Sequence, residues 1–197
     1  MVVAALGDSL SGGYFIDGRY VDDPSASYPA LVAQQIGATQ LGIVGIAGAV
    51  IQTIVESIGR LPPDADLLLV NAGTNDMVVV ADGLDTLAQI CKNFDAMIEL
   101  SRTWMPKARI IIVGLRDVAR MDPDSIAKPH AIRRLRNTAG MRAATRAFNE
   151  HILVSPATTP VDLANREGSD SVVHFPDAIH PSPLGLRWIA DAVLAAL

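Results

Sequence analysis

The sequence predicts an α/β fold, a parallel sheet of about five strands covered by helices on both faces. Three observations point to it. Short apolar runs alternate with amphipathic stretches along the chain. The early runs, Val2-Val3-Ala4-Ala5-Leu6 and Leu67-Leu68-Leu69-Val70 among them, lack the regular polar alternation of a half-solvated sheet, as expected of strands buried on both sides. With 197 residues the chain is long enough for one full core and too short for two, so a single domain over residues 1–197 is expected.

The predicted strands are Val2–Leu6, Leu41–Ile46, Leu67–Asn71, Arg109–Gly114 and a short Pro160–Leu163. Between the first two, Ser27 stands where a helix cap is needed, Pro29 falls in the first turn and Gly37 at the stop, which predicts a helix to about Ile36. A second helix is predicted over Ile51–Ile58, and a long one from Leu84 to Trp104, ended by Pro106. A fourth is expected over Ala131–Ile152, where Gly140 costs about 1 kcal/mol relative to alanine. The last, Pro183–Leu197, brings Leu186, Ile189, Val193 and Leu194 to one side and closes the domain. In a parallel sheet the segments after the strand ends gather along one edge, where open α/β folds bind ligands. Those segments are Gly7–Ser11, Ile46–Val50, Ala72–Asp76, the residues from Leu115 onward and the stretch before the last helix.

Half the residues are hydrophobic and 19% charged, which places the chain far from disordered sequences. A net charge of -5 gives no whole-molecule reason to expect a nucleic-acid partner. The charge is uneven: residues 116–146 carry about +5 and the remainder about -10. Cys91 is the only cysteine, which excludes an internal disulfide and a thiolate metal cluster, and its apolar neighbours at helical spacing mark it as a small hydrophobe. No apolar run approaches the roughly 18 residues of a membrane span, so no membrane insertion is expected. The first strand begins at Val2, so the sequence reads as cytoplasmic, or as secreted if a leader has been removed.

The strand ends carry the chemistry. The first presents Ser9 in Gly7-Asp8-Ser9-Leu10, and the second presents Gly48, whose backbone N–H is available to an anion just before a helix. The third presents Asn75, with a side-chain amide donor, in Gly73-Thr74-Asn75-Asp76. Asp177-Ala178-Ile179-His180 precedes the final helix. A serine hydroxyl is a weak nucleophile until an imidazole takes its proton, and the imidazole works better when a carboxylate fixes its tautomer. An aspartate three residues ahead of its histidine in an irregular segment lets both face one serine. Donors from Ser9, Gly48 and Asn75 arise at three strand ends and can surround one oxyanion.

These residues resemble the SGNH (GDSL) hydrolase superfamily. Gly7-Asp8-Ser9-Leu10 is similar to its first block, Gly48 to its second, Gly73-Thr74-Asn75-Asp76 to its third and Asp177-Ala178-Ile179-His180 to its last. The blocks occur in order from residue 7 to residue 180. Gly-Gly-Tyr after the first block and Tyr28-Pro29-Ala30-Leu31 are most similar to the small esterase/thioesterase branch. The resemblance implies a flavodoxin-like α/β/α sandwich and ester hydrolysis through an acyl-serine. It implies Ser9 as nucleophile, His180 as base and then acid, Asp177 as its orienting partner, and Ser9, Gly48 and Asn75 as the oxyanion hole. Many members carry an asparagine shortly before the second-block glycine, where this chain has Val44-Gly45-Ile46, so Gly45 stands as the competing choice to Gly48.

Other motifs carry less. His174 is a surface or pocket-lining residue in this reading, and His130 and His151 sit at the two ends of a predicted helix, where capping or solvation suffices. No histidine pair has the spacing of a zinc helix, so no metal and no cofactor are expected. The glycines of Gly42–Gly48 are not in dinucleotide-binding order, and Ser9 lacks the Gly-x-Ser-x-Gly of a nucleophile elbow. The arginines from Arg133 to Arg146 spread around a helix as on a solvated face, whereas Arg116, Arg120 or Lys128 could meet an anionic substrate group. Asp8 is expected to be structural in its turn and Asp76 to support Asn75. The expected partner is a small-molecule ester, cleaved by a carboxylesterase or carbohydrate O-deacetylase. Acyl thioesterase or lysophospholipase action is the nearest rival, and a non-catalytic glycan- or partner-binding module is the alternative of another class.

Overall fold

A computed structural model describes residues 1–16, 19–21, 23–118 and 138–197. Five strands form the central sheet: β1 (Val2–Asp8), β4 (Gln40–Ile46), β5 (Leu67–Asn71), β6 (Arg109–Val113) and β7 (Thr159–Val161). Their spatial order is β4-β1-β5-β6-β7 and every neighbouring pair is parallel. Two short strands the sequence did not suggest, β2 (Tyr14–Ile16) and β3 (Arg19–Val21), pair antiparallel outside the sheet.

The continuous apolar runs explain the layering. Successive side chains leave a strand on opposite faces. Val3, Ala5, Leu67, Leu69, Ile111 and Val113 therefore pack under α2 (Tyr28–Gln35) and α7 (Pro183–Leu194). Ala4, Leu6, Leu68, Val70, Ile110 and Ile112 pack under α3 (Ile51–Val55), α4 (Thr74–Ala81), α5 (Leu87–Trp104) and α6 (Thr138–Ile152). The result is a three-layer α/β/α sandwich. In sheet order the chain moves from β1 out to β4, then back across β1 to β5, so the direction of winding reverses between β1 and β5. In doubly wound sheets the ligand crevice opens at that reversal, beyond the carboxyl ends of the strands.

Several helix ends differ from the sequence reading, each for a local reason. Ser27 occupies the cap position of α2, but its hydroxyl turns back to the Pro24 carbonyl at 2.7 Å and makes no cap bond. Gly37 stops that helix with φ +65°, as expected. The third predicted start, at Leu84, moves to Leu87 because Thr86 caps the helix, its hydroxyl accepting from Gln89 N at 3.2 Å, and Leu84 is left exposed. The helix predicted over Ile51–Ile58 is α for only five residues and continues as a 3₁₀ turn over Ile58–Arg60. α6 is described from Thr138; residues 131–137 of its predicted span lie outside the described residues. Cys91 is half-buried on α5, packed against the core, and burial pushes its thiol up. Among the described residues no helix is long and apolar enough to cross a membrane.

One packing contact reaches directly toward the site. Phe148 of α6 is fully buried and meets Phe94 of α5 edge to face, with centroids 5.5 Å apart. Its ring lies where a side chain on Gly73 would be, a Cβ there standing 2.5 Å from Phe148 Cε1. Gly73 has φ +119° and leads into α4, so only glycine allows the chain both that turn and that approach.

Candidate active site

The first strand end is set by Asp8. Its side chain caps α1 (Ser9–Gly12), with Oδ1 accepting from Leu10 N at 3.0 Å, and Ser9 is therefore the first residue of that turn, 4% exposed. Close backbone approaches leave no room for larger residues around it. A Cβ on Gly7 would stand 2.1 Å from the Asn71 carbonyl oxygen, and one on Gly45 would stand 2.3 Å from Gly12 N. Gly45 thus lies inside β4, paired with Gly7 and packed on α1. Gly48 is different: it sits in the turn beyond β4 with φ +73°, exposed, and nothing stands within 4 Å of its Cβ position.

The third strand end is bound to the second. Asn75 Nδ2 donates to the Ala49 carbonyl at 2.9 Å. Asp76, expected to support Asn75, instead receives Ile51 N on both carboxylate oxygens, at 3.2 and 3.1 Å, and so fixes the start of α3. Burial pushes both Asp8 and Asp76 up to about 6; for Asp8 the Leu10 N–H and the charge of His180 act against that rise.

Asp177 is 1% exposed and fully engaged by its own loop. Oδ1 accepts from Ile179 N at 3.0 Å and from His180 N at 2.6 Å, and Oδ2 lies 2.7 Å from His180 Nδ1. A carboxylate facing Nδ1 keeps the proton on that nitrogen and leaves Nε2 as the basic one. Ala178 between them has φ +71°, a left-handed conformation that alanine adopts at about 1–2 kcal/mol. The structure thus places Ser9 on the turn capped by Asp8, ties the Asn75 turn to the Gly48 turn, and pairs Asp177 with His180 in the loop before α7.

The remaining sequence candidates go elsewhere. His174 Nδ1 faces the Gly168 carbonyl at 3.2 Å and the ring stacks on Trp188, so it is built into the loop packing. His151 pairs with Asp95 at 2.8 Å, linking α6 to α5 at the surface. Arg142 pairs with Asp117 at 3.1 Å. Arg116, considered as a contact for a substrate anion, is buried and turned to the protein: its Nη2 donates to the Ala178 carbonyl at 2.7 Å. Arg120, Lys128, His130 and the stretch Arg133–Arg136 lie outside the described residues. Among the described residues no group of three or more His, Cys, Asp or Glu side chains could hold a metal. A cleft of about 680 Å³ opens between α6 and residues 162–165, lined by Asp117, Arg142, Arg146 and Asn149, and contains none of the five site residues. Sequence reasoning missed the Asp76–Ile51 link and the inward turn of Arg116. The position of Arg116 directly after a strand, at the edge where ligands bind, was the only signal.

Residues 5–188 match the family model for the GDSL-like lipase/acylhydrolase family. The chain belongs to that family. This GDSL hydrolase is therefore an enzyme acting on esters, and the match spans all four blocks. No curated protein matches it. Solved structures share its fold. The lipase/acylhydrolase from Enterococcus faecalis is 17% identical with TM-score 0.70, over 99% of this chain and 94% of that one. Phospholipase A1 from Streptomyces albidoflavus NA297 is 19% identical with TM-score 0.69, over 99% and 98%. The extracellular lipase from Streptomyces rimosus is 19% identical with TM-score 0.67, over 99% of each chain.

Proposed function

We propose that this GDSL hydrolase cleaves small or short-acyl esters through an acyl-serine intermediate on Ser9. The observation that carries the proposal is the 2.7 Å contact between His180 Nδ1 and the buried Asp177 carboxylate, which makes Nε2 a base. In the mechanism, His180 Nε2 takes the Ser9 proton as Oγ adds to the acyl carbonyl. The oxyanion that forms is received by the Ser9 and Gly48 N–H groups and by the Asn75 amide, whose orientation is fixed by Ala49. His180 then protonates the leaving alcohol, and the same nitrogen activates the water that releases the acid and restores Ser9. No resident cofactor or metal takes part in these steps.

Carboxylesterase or O-deacetylase action is favoured because no long apolar segment in the sequence reads as a lid. The likeness to a phospholipase A1 keeps lipid esters among the substrates to be assayed. Incubation with a fluorophosphonate probe tests the mechanism. Labelling of the native protein that disappears in Ser9→Ala is expected; absent labelling overturns it in favour of the binding-module reading, and labelling that survives the substitution overturns Ser9 as the nucleophile. A p-nitrophenyl ester series of increasing chain length, run beside an acyl-CoA and an acetylated sugar, then assigns the acyl class.

A further inference from the structure

Arg116 follows β6 and is 4% exposed, an unusual place for a guanidinium. Its Nη2 and Nη1 both point at the Ala178 carbonyl, at 2.7 and 3.4 Å, and its Cζ lies 3.2 Å over the Phe175 ring centroid. Phe175 is itself fully buried and meets Trp188 of α7 edge to face at 5.7 Å, so the ring is a fixed platform. Burial brings Arg116 down to about 9, with Asp177 first among the negative charges that oppose the fall, so the group stays charged at neutral pH. The carbonyl it grips belongs to the one residue between Asp177 and Ile179, and that residue is in the left-handed region. The twist at Ala178 is what allows Asp177 Oδ1 to collect the next two N–H groups while Oδ2 faces the imidazole.

We propose that Arg116 is a positioning residue for the catalytic pair: clamped on Phe175, it holds the Ala178 carbonyl and so fixes the Asp177–His180 geometry. This rests on the assignment of Asp177 and His180 given above. Arg116 touches no substrate in this role, so its loss acts through Asp177. A misplacement of about 1 Å at a catalytic group can cost on the order of 10²-fold in rate.

A double-mutant cycle with Asp177→Asn on p-nitrophenyl butyrate tests this. Arg116→Met is expected to lower kcat about 10- to 100-fold with KM within about threefold, and in the Asp177→Asn background to cost less than about threefold more. Arg116→Lys keeps the charge and one donor but loses the fork, and should lose less than about tenfold. If melting shows that Arg116→Met does not fold, Arg116→Lys carries the same cycle. Equal losses in both backgrounds, or a raised KM with unchanged kcat, overturn the proposal. The two readings fail separately. Ser9-dependent labelling with an additive cycle removes only the role of Arg116, whereas an Asp177→Asn enzyme with full kcat removes the catalytic assignment and this proposal with it.

Discussion

Asn75 donates its side-chain amide to the backbone carbonyl of Ala49 at 2.9 Å, across the turn that carries Gly48. An amide has two hydrogens, so the bond that aims the group still leaves a donor for substrate. The same bond ties the start of α4 to the turn beyond β4, and Asp76 repeats the tie one residue on through Ile51 N.

Replacing Asn75 by alanine removes both the donor and the tie. We expect kcat to fall about 10²- to 10³-fold with KM within about threefold, the loss typical of one oxyanion donor. Steady-state kinetics on a p-nitrophenyl ester check it. A raised KM with preserved kcat would put the amide in ground-state binding.

Gly48 and Gly45 should respond in opposite ways to alanine. At Gly48 the space is open and only the positive φ resists, so Gly48→Ala should cost about 1 kcal/mol, a Tm loss of about 2–4 °C, while kcat falls at least tenfold. At Gly45 a methyl meets the backbone of Gly12, so Gly45→Ala should damage folding before chemistry. Thermal melts beside kinetics separate the two; a stable, inactive Gly45→Ala with an active Gly48→Ala would reverse the assignment.

Asp8 makes a prediction about pH. Its pKa is raised on folding to about 6, so the folded chain binds the proton more tightly than the unfolded one. The stability from this group is fully present below the unfolded value near 4 and is lost as pH rises through about 6. The loss is on the order of 2–3 kcal/mol, which Asp8→Asn should recover by holding the group neutral while still accepting from Leu10 N. The melting temperature of Asp8→Asn should match that of the native protein near pH 4 and exceed it by about 5 °C at pH 7.5. A difference that stays constant with pH would show that the carboxyl titrates normally.

Phe148→Ala should act on two levels at once. Losing a fully buried ring costs about 3–5 kcal/mol, and Gly73 loses the surface that sets the entry to α4. Melting should show the loss of stability, and kinetics below the new transition should show kcat reduced with KM little changed. A destabilised variant with native kcat would mean that Gly73 holds its turn unaided.

The sheet was legible because its strands are buried on both faces. β5 agrees with the reading at both ends, and β1, β4 and β6 differ by no more than two residues at either end, since continuous apolar runs such as Leu67–Val70 are bounded by polar or turn residues. The first three blocks could be placed for a related reason, since each lies at the end of a strand and parallel strands end on one edge, whereas Asp177–His180 was placed by its position before the last helix. What escaped depends on contacts distant in sequence. Ser27 could be placed at a cap but not seen to prefer Pro24. Asp76 was read as a neighbour of Asn75, yet its partner lies 25 residues away at Ile51. The pairing of β2 with β3 rests on only three residues in each strand, too few for any periodicity. Arg116 carries a charge that composition assigns to solvent, and only the Phe175 ring and the Ala178 carbonyl reveal why it turned inward.

The cross-links Asn75 to Ala49 and Asp76 to Ile51 both join the turn after β5 to the turn after β4, strands that flank β1. Neither can form until β4 and β5 have docked on either side of β1, so the turns that carry Gly48 and Asn75 are held only once these three strands are assembled. On dilution from denaturant, recovery of ester hydrolysis should lag behind recovery of the far-ultraviolet helix signal. Turnover in this enzyme is thus also a proofreading of its own sheet.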